Sequence, residues 1–331
     1  MGLNLASIFN FRRAESLEVS AEPQSIPGFQ LPLLEDGTGV ALRDSLLAAL
    51  AYADLFDYPL TVDELVCYQP GTTFTPHEIR ESLRTDESFR SMLACSRGYW
   101  SLRDHPDLAQ TRLDREIFSG RLWRRAIIYS RWVSNMPFVR MVAVTGALSM
   151  HNAGPVSDID LLVVAQAGRV WLCRRALILC VRIARLFGDD LCPNYVVAEN
   201  NLELDQRDLY TAHELAQMVP MSGLSVYRAM LKANEWAAAY LPAAFGTLDL
   251  PIRHQRPRAM QRPLELLLGL RPFDVLERWE LRRMQAKLRP ALGSAAEVVC
   301  SPEQCKGHTG LHRQSVLERY EQRLKRVRSA Y

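Results

Sequence analysis

No stretch of the 331-residue chain reaches the roughly 18 uninterrupted apolar residues that a membrane helix requires; the richest, RALILCVRIARLF, is broken by arginines. The reading is a chain without a transmembrane segment. Cysteine is sparse as well. The seven at positions 67, 95, 173, 180, 192, 300 and 305 are an odd number and form no dense framework, which predicts free thiols, a reducing compartment and a cytoplasmic location. The opening MGLNLASIFNFRR carries its charges after a short apolar run, the reverse of a secretory signal. Ala6 stands where a myristoylation pattern needs Ser or Thr. Internal repeats and low-complexity tracts are missing too, and 48% apolar with 23% charged residues is a globular composition.

Net charge is small, +3, but unevenly placed. Residues 251–331 hold 17 Lys+Arg against 8 Asp+Glu, a balance of +9, which leaves −6 for the rest of the chain. A basic C-terminal quarter suits contact with an anion such as a nucleotide, RNA or a lipid headgroup; a solvated basic helix accounts for it as well.

Residues 1–40, with Pro23, Pro27 and Pro32 and no sustained periodicity, read as a flexible leader. Residues 41–104 read as a winged-helix-like module. Leu42, Leu46, Leu47, Leu50 and Leu55 recur at helical spacing, and Thr61 with Glu64 forms a capping box for a second helix. Thr75-Pro76 opens a third helix with Ile79 and Leu83 inward, and two short runs around Arg97-Gly98 predict a closing hairpin. Between Pro59 and Ala94, three arginines (80, 84, 90) face six acids (63, 64, 78, 81, 86, 87). That balance repels phosphate and favours protein docking or a structural role over DNA reading. A linking helix follows within 105–137, with Ile117, Trp123, Ile127 and Ile128 on its apolar side.

The next segment carries the chemistry. Val139–Val144 reads as a buried strand ended by Gly146, and the loop to Ser157 holds Asn152, Gly154 and Pro155. A second strand opens with Asp158-Ile159-Asp160 and continues through Val164. Residues two apart in a strand point the same way, so both carboxylates share a face while Ile159 enters the core. Two acids so placed repel each other unless a proton or a cation lies between them. Hard oxygen donors suit Mg²⁺, and Gly146 allows a phosphate close to the backbone.

Thr145-Gly146-Ala147, the ten residues 148–157 and Asp158-Ile159-Asp160-Leu161 together resemble the signature of the polymerase-β-like nucleotidyltransferase superfamily, in its bacterial-type form with an N-terminal winged-helix-like module. The resemblance covers about residues 138–205, within a core placed at 138–206. It implies an α+β fold: a small mixed β-sheet nucleotidyltransferase core with helical N-terminal winged-helix-like and C-terminal helical regions. It also implies Mg²⁺-dependent transfer of a nucleoside monophosphate from a nucleoside triphosphate, with Asp158 and Asp160 ligating one or two Mg²⁺ ions in a two-metal mechanism. Gly146, Ala147 and Ser149 are then the phosphate cradle, and Ser157 orients the loop. Two positions depart from the pattern. The family's phosphate-contacting serine is Ala147 here. The third acid, expected on the strand after the helix at 170–187, is replaced by Asn194, a neutral oxygen ligand; Glu199 lies at that strand's end and Glu203 in an expected hairpin partner. These departures keep a second reading open, a catalytically degenerate nucleotide- or RNA-binding regulatory protein.

Residues 207–331 read as a helical region with a basic tail. Asp208 is an expected cap, Pro220 an expected break, and Met230, Leu231 and Trp236 face inward. Tyr210, Lys232 and Asn234 are candidate contacts for an unidentified acceptor, an RNA or a small molecule met through the basic region. Leu264–Arg289 reads as a basic amphipathic helix with Leu266, Leu267, Leu270, Val275 and Trp279 as apolar anchors, lying on the core, a membrane surface or RNA. Cys300, Cys305, His308 and His312 have the donors of a zinc site on unusually compact spacing, and read also as a loop before a helix.

Overall fold

The computed structural model describes residues 38–104, 108–245, 261–292, 298–306 and 312–329. The expected leader up to position 37, and His308 of the Cys/His quartet, lie outside the described residues.

Helical spacing of Leu42, Leu46, Leu47 and Leu50 lets α1 (Thr38–Asp54) bury all four on one side. Asp57, at φ 49°, turns the chain toward α2 (Val62–Tyr68). The Thr61 hydroxyl accepts the Glu64 N–H, and the Glu64 carboxylate accepts the Thr61 N–H at 2.8 Å. Thr75 and Glu78 repeat this box at α3 (Pro76–Thr85), where Pro76 fits the first turn. A short α4 (Glu87–Ser91), capped by Asp86, leads into the hairpin of β1 (Leu93–Ser96) and β2 (Tyr99–Leu102). Arg80 and Arg84 of α3 pair with Asp63 and Glu81.

The long α5 (Leu108–Ser134) is locked to this module by Arg112. The guanidinium donates to both oxygens of the fully buried Glu64 at 2.7 Å, to the Pro59 carbonyl at 2.5 Å and to Glu116 at 2.9 Å. It lies over the rings of Tyr58 (4.1 Å) and Tyr99 (4.6 Å). Glu64 therefore caps α2 and neutralises a buried cation at once. The apolar side expected for α5 is corrected in part: Ile117 and Ile128 face solvent, and Trp123, Ala126, Tyr129 and Val133 are buried. Each exposed isoleucine is two positions from a buried residue (Ser119, Ala126), about 200° around a helix.

The second half is organised by one mixed sheet. Its elements run β3 (Val139–Val144), the single turn α6 (Gly146–Ser149), β4 (Ile159–Ala165), α7 (Val170–Leu186), β5 (Leu191–Ala198), α8 (Leu209–Gln217), β6 (Val219–Ser222), α9 (Leu224–Ala233) and α10 (Ala237–Tyr240). The order continues with α11 (Gln261–Leu268), α12 (Arg271–Leu292), β7 (Val299–Cys300), β8 (Gln304–Lys306) and α13 (His312–Ser329). Strand order is β6-β3-β4-β5-β8-β7, and only β4 and β5 are parallel, with α7 as their crossover. The central strands are apolar on both faces because both faces are covered. Met141, Ala143, Leu162 and Val164 join the core built with α1, α8 and α9; Val142, Val144, Leu161 and Val163 join the one built with α5, α7 and α12.

Three of the six strands come from beyond residue 206, where helices alone were expected. Pro220 sits within β6, opposite Ala143, on an edge strand that tolerates proline. The second neighbour of β5 is β8, not a hairpin containing Glu203, which pairs with Arg207 in the intervening loop. The amphipathic helix is two helices, broken at Gly269 and Leu270. Its expected anchors Leu266, Leu267, Leu270, Val275 and Trp279 are exposed; Leu268, Leu281, Met284 and Leu288 pack on the α7 side. Carboxylates set this orientation. Glu277 accepts the N–H groups of Trp171 and Leu172 at the start of α7 (2.8 and 2.7 Å), and Glu265 accepts from the Phe138 N–H and from Arg140 (2.7 and 2.8 Å).

At the end of the chain α13 packs on α1, burying Val316, Tyr320 and Val327, while Arg323 pairs with Asp54 and Asp104. Part of the basic tail is thus neutralised inside the molecule. Among the described residues, no helix is long and apolar enough to cross a membrane.

Candidate functional site

After β3 the chain enters α6 through Gly146 at φ 65°, a conformation that glycine adopts at little cost. Space adds a second demand: a Cβ at this position would lie 2.4 Å from Oδ2 of Asp160. The Thr145 N–H donates to the Asp160 carbonyl at 3.1 Å, so the turn and the head of β4 are joined. The loop between them closes on itself. The Asn152 N–H donates to the Ala147 carbonyl (2.8 Å), and the Gly154 N–H donates to the Ser157 hydroxyl (2.9 Å). Asn152 also donates to the Phe56 carbonyl and accepts from Arg115, each at 3.0 Å, which pins the loop to the N-terminal module.

Asp158, Asp160 and Cys192 present ligand atoms within 4.8 Å of one another. The two carboxylates thus converge. Cys192 joins them because of the register of the sheet. Asp160 registers with Cys192 but Leu162 with Tyr195, so two steps along β4 match three along β5 and Asn194 falls in the irregularity. Asn194 instead lines the neighbouring cleft.

Burial, then the charge of Asp158, then that of Glu214 push the Asp160 carboxyl up to about 7. Burial pushes Glu214 on α8 to about 7 as well, opposed by Lys306. The Cys192 thiol is raised to about 12 by burial and by both aspartates, with which it hydrogen-bonds, so at neutral pH it is a protonated donor and not a thiolate. Excess negative charge packed around one point is the condition that a divalent cation relieves.

Beside the pair opens a cleft lined by Thr145, Asn194, Tyr210, Glu214, Lys306 and Arg313 among others. Tyr195 donates to Gln304 (2.6 Å) and Gln304 to Asp205 (3.2 Å) on its wall. Glu214 belongs to both places: it faces the cleft and its charge acts on Asp160. Sequence reasoning missed Glu214, Cys192 and Lys306. Glu214 left one trace, as the single acid in a helix otherwise free of formal charge.

The structure brings Gly146, Asp158 and Asp160 together. Ala147 is exposed beside them, without a hydroxyl. The Ser149 hydroxyl donates to the Gly146 carbonyl (2.8 Å), and Ser157 serves the loop turn. Tyr210 lines the cleft and Lys232 is exposed. Asn234 is buried and staples the 202–204 segment, donating to the Leu202 carbonyl (2.8 Å) and accepting from the Leu204 N–H (2.9 Å). Cys300 and Cys305 face each other across the β7–β8 ladder, and the His312 ring meets Tyr210 edge-on at 5.9 Å. Among the described residues these three do not gather as metal ligands.

Gly146→Ala is expected to cost about 2 kcal/mol or more, from the left-handed backbone and the encroachment on Asp160. Asp160→Ala in the same chain recovers the steric part, because it removes the atom that is met at 2.4 Å. Denaturant midpoints of the two single variants and the double variant measure the coupling; strictly additive losses would contradict the contact. Comparison with protein-family models, with curated proteins and with solved structures finds no match for this chain.

Proposed function

We propose that the protein transfers a nucleoside monophosphate from a nucleoside triphosphate to an acceptor, with a divalent cation held by Asp158 and Asp160. One observation carries the reading: two carboxylates converge within 4.8 Å, beside a glycine turn with no room for a side chain, near a cleft whose mostly apolar wall carries Glu214 and Lys306. The donor set fits the cation. Two hard oxygens suit Mg²⁺, and the protonated Cys192 adds a hydrogen bond to the carboxylates rather than a soft ligand. When bound, such an ion supplies charge neutralisation for phosphate oxygens and activation of an attacking hydroxyl.

The chain's own groups then divide the work. Asp158 and Asp160 hold the ion as carboxylates, and Cys192 orients them. The Gly146 turn lets the Asp160 carboxylate lie close against the backbone. Glu214, raised to about 7, is poised near neutrality to take a proton at its carboxylate oxygen from an acceptor hydroxyl lying in the cleft. Lys306 lines the same cleft opposite the charge of Glu214, and Arg313 on its wall is paired with Asp208.

A second reading, a nucleotide-binding regulator without transfer, is favoured by the exposed Ala147 and by a thiol where a third carboxylate would strengthen the ion's hold. Labelled triphosphates with Mg²⁺ and a cell extract separate the two. Transfer of label to an acceptor, reduced by about three orders of magnitude in Asp160→Asn, supports the enzyme. Saturable binding without transfer supports the regulator, and unchanged binding in Asp160→Asn excludes both.

A further inference from the structure

The C-terminal helices present an outer face whose composition is sorted by charge. Leu266, Leu267, Leu270, Val275 and Trp279 are 78%, 56%, 54%, 60% and 49% exposed, all within one stretch of the sequence. Between and beside them Arg262, Arg271, Arg278, Arg282, Arg283 and Lys287 are exposed too. The acids on the same stretch are paired: Glu265 with Arg140, Asp274 with Arg169, Glu277 with the start of α7, and Glu280 with Arg175 and Arg283, which leaves Arg262, Arg271, Arg278, Arg282 and Lys287 as the cations of the face. The face continues onto α7. Trp279 lies 5.7 Å from the guanidinium carbons of both Arg175 and Arg283. From Arg175 the stripe Leu179, Arg182 and Leu186 follows at helical spacing, with both leucines exposed.

We infer that this face of α11, α12 and α7 docks on an anionic lipid surface. Leucine, valine and tryptophan enter the headgroup and acyl boundary while arginine and lysine meet lipid phosphates and carboxylates. A second copy of the chain suits it poorly, because a two-fold contact would set one array of cations against the same array. An RNA would satisfy the arginines but leave the exposed aliphatic side chains without apolar contact. The inference stands apart from the transferase reading: this face belongs to the α7 side of the sheet and the cleft to the α8 side.

The test is sedimentation of the full chain with vesicles of phosphatidylcholine alone and of phosphatidylcholine with phosphatidylserine. Binding is expected only to the second, weakening as salt is raised. Arg278→Gln and Arg282→Gln are each expected to weaken it about fivefold. Leu266→Ser with Leu267→Ser is expected to weaken it about tenfold, without moving the thermal midpoint of these exposed positions. Four outcomes would overturn the inference. They are no sedimentation with either vesicle, equal sedimentation with both, a dimer in solution that the leucine substitutions dissociate, and binding of polyuridylate that the arginine but not the leucine substitutions abolish.

Discussion

Asp160→Asn is expected to stabilise the ion-free protein near pH 8 while removing its response to Mg²⁺. The Asp160 carboxyl sits at about 7 in the fold against an ordinary 3.8, and Glu214 at about 7 against 4.5. For acids raised in this way, the folded chain holds a proton over a range where the unfolded chain has already lost it. Stability therefore falls as pH rises from about 4 to about 7, by about 4 kcal/mol for Asp160 and about 3 kcal/mol for Glu214, and stays low above that window. Asparagine keeps the shape beside Gly146 and removes one of the two penalties. A divalent ion opposes the same loss by holding both aspartates charged. Urea midpoints at pH 5 and pH 8, with and without Mg²⁺, check each part. A flat pH profile in the wild-type chain, or equal Mg²⁺ stabilisation of the asparagine variant, would refute the electrostatic account of the site.

Arg112→Met is expected to cost about 3–5 kcal/mol, because it leaves the carboxylate of Glu64 buried without its cation. The Pro59 carbonyl loses a donor in the same step. Adding Glu64→Gln should return much of the loss by removing the stranded charge, although the amide cannot reproduce every hydrogen bond of the box at Thr61. A double-mutant cycle read by thermal or denaturant unfolding measures the coupling. A loss below about 1 kcal/mol in the single variant would place the pair in the energetic class of solvated surface bridges.

The parts legible in the sequence are those written in neighbouring residues. Both capping boxes, the hairpin at Arg97-Gly98 and the shared face of Asp158 and Asp160 depend on spacings of two to four residues, and each is present. The illegible parts depend on partners far along the chain. Hydropathy marks Leu266 and Leu267 as anchors but cannot tell which side of a helix the core will cover, and here carboxylates dock the helices by another side. Glu64 is readable as a cap but not as the counterion of Arg112, 48 residues on. Cys192 reaches the aspartates through a strand register that no alternation rule anticipates, and Glu214 arrives from a helix on the other side of that core. Pro220 signals a break, yet an edge strand accommodates it.

The interleaving of distant segments constrains the order of assembly. The outer rim of β5 is paired by β8, and α1 is clasped by α13 through Arg323 and Asp54, 269 positions apart. During synthesis, that rim stays open until residues 304–306 leave the ribosome, and the first helix waits longer still for its cover. Contacts so remote in sequence slow the search for the native state and extend the time in which an unpaired strand can meet another chain.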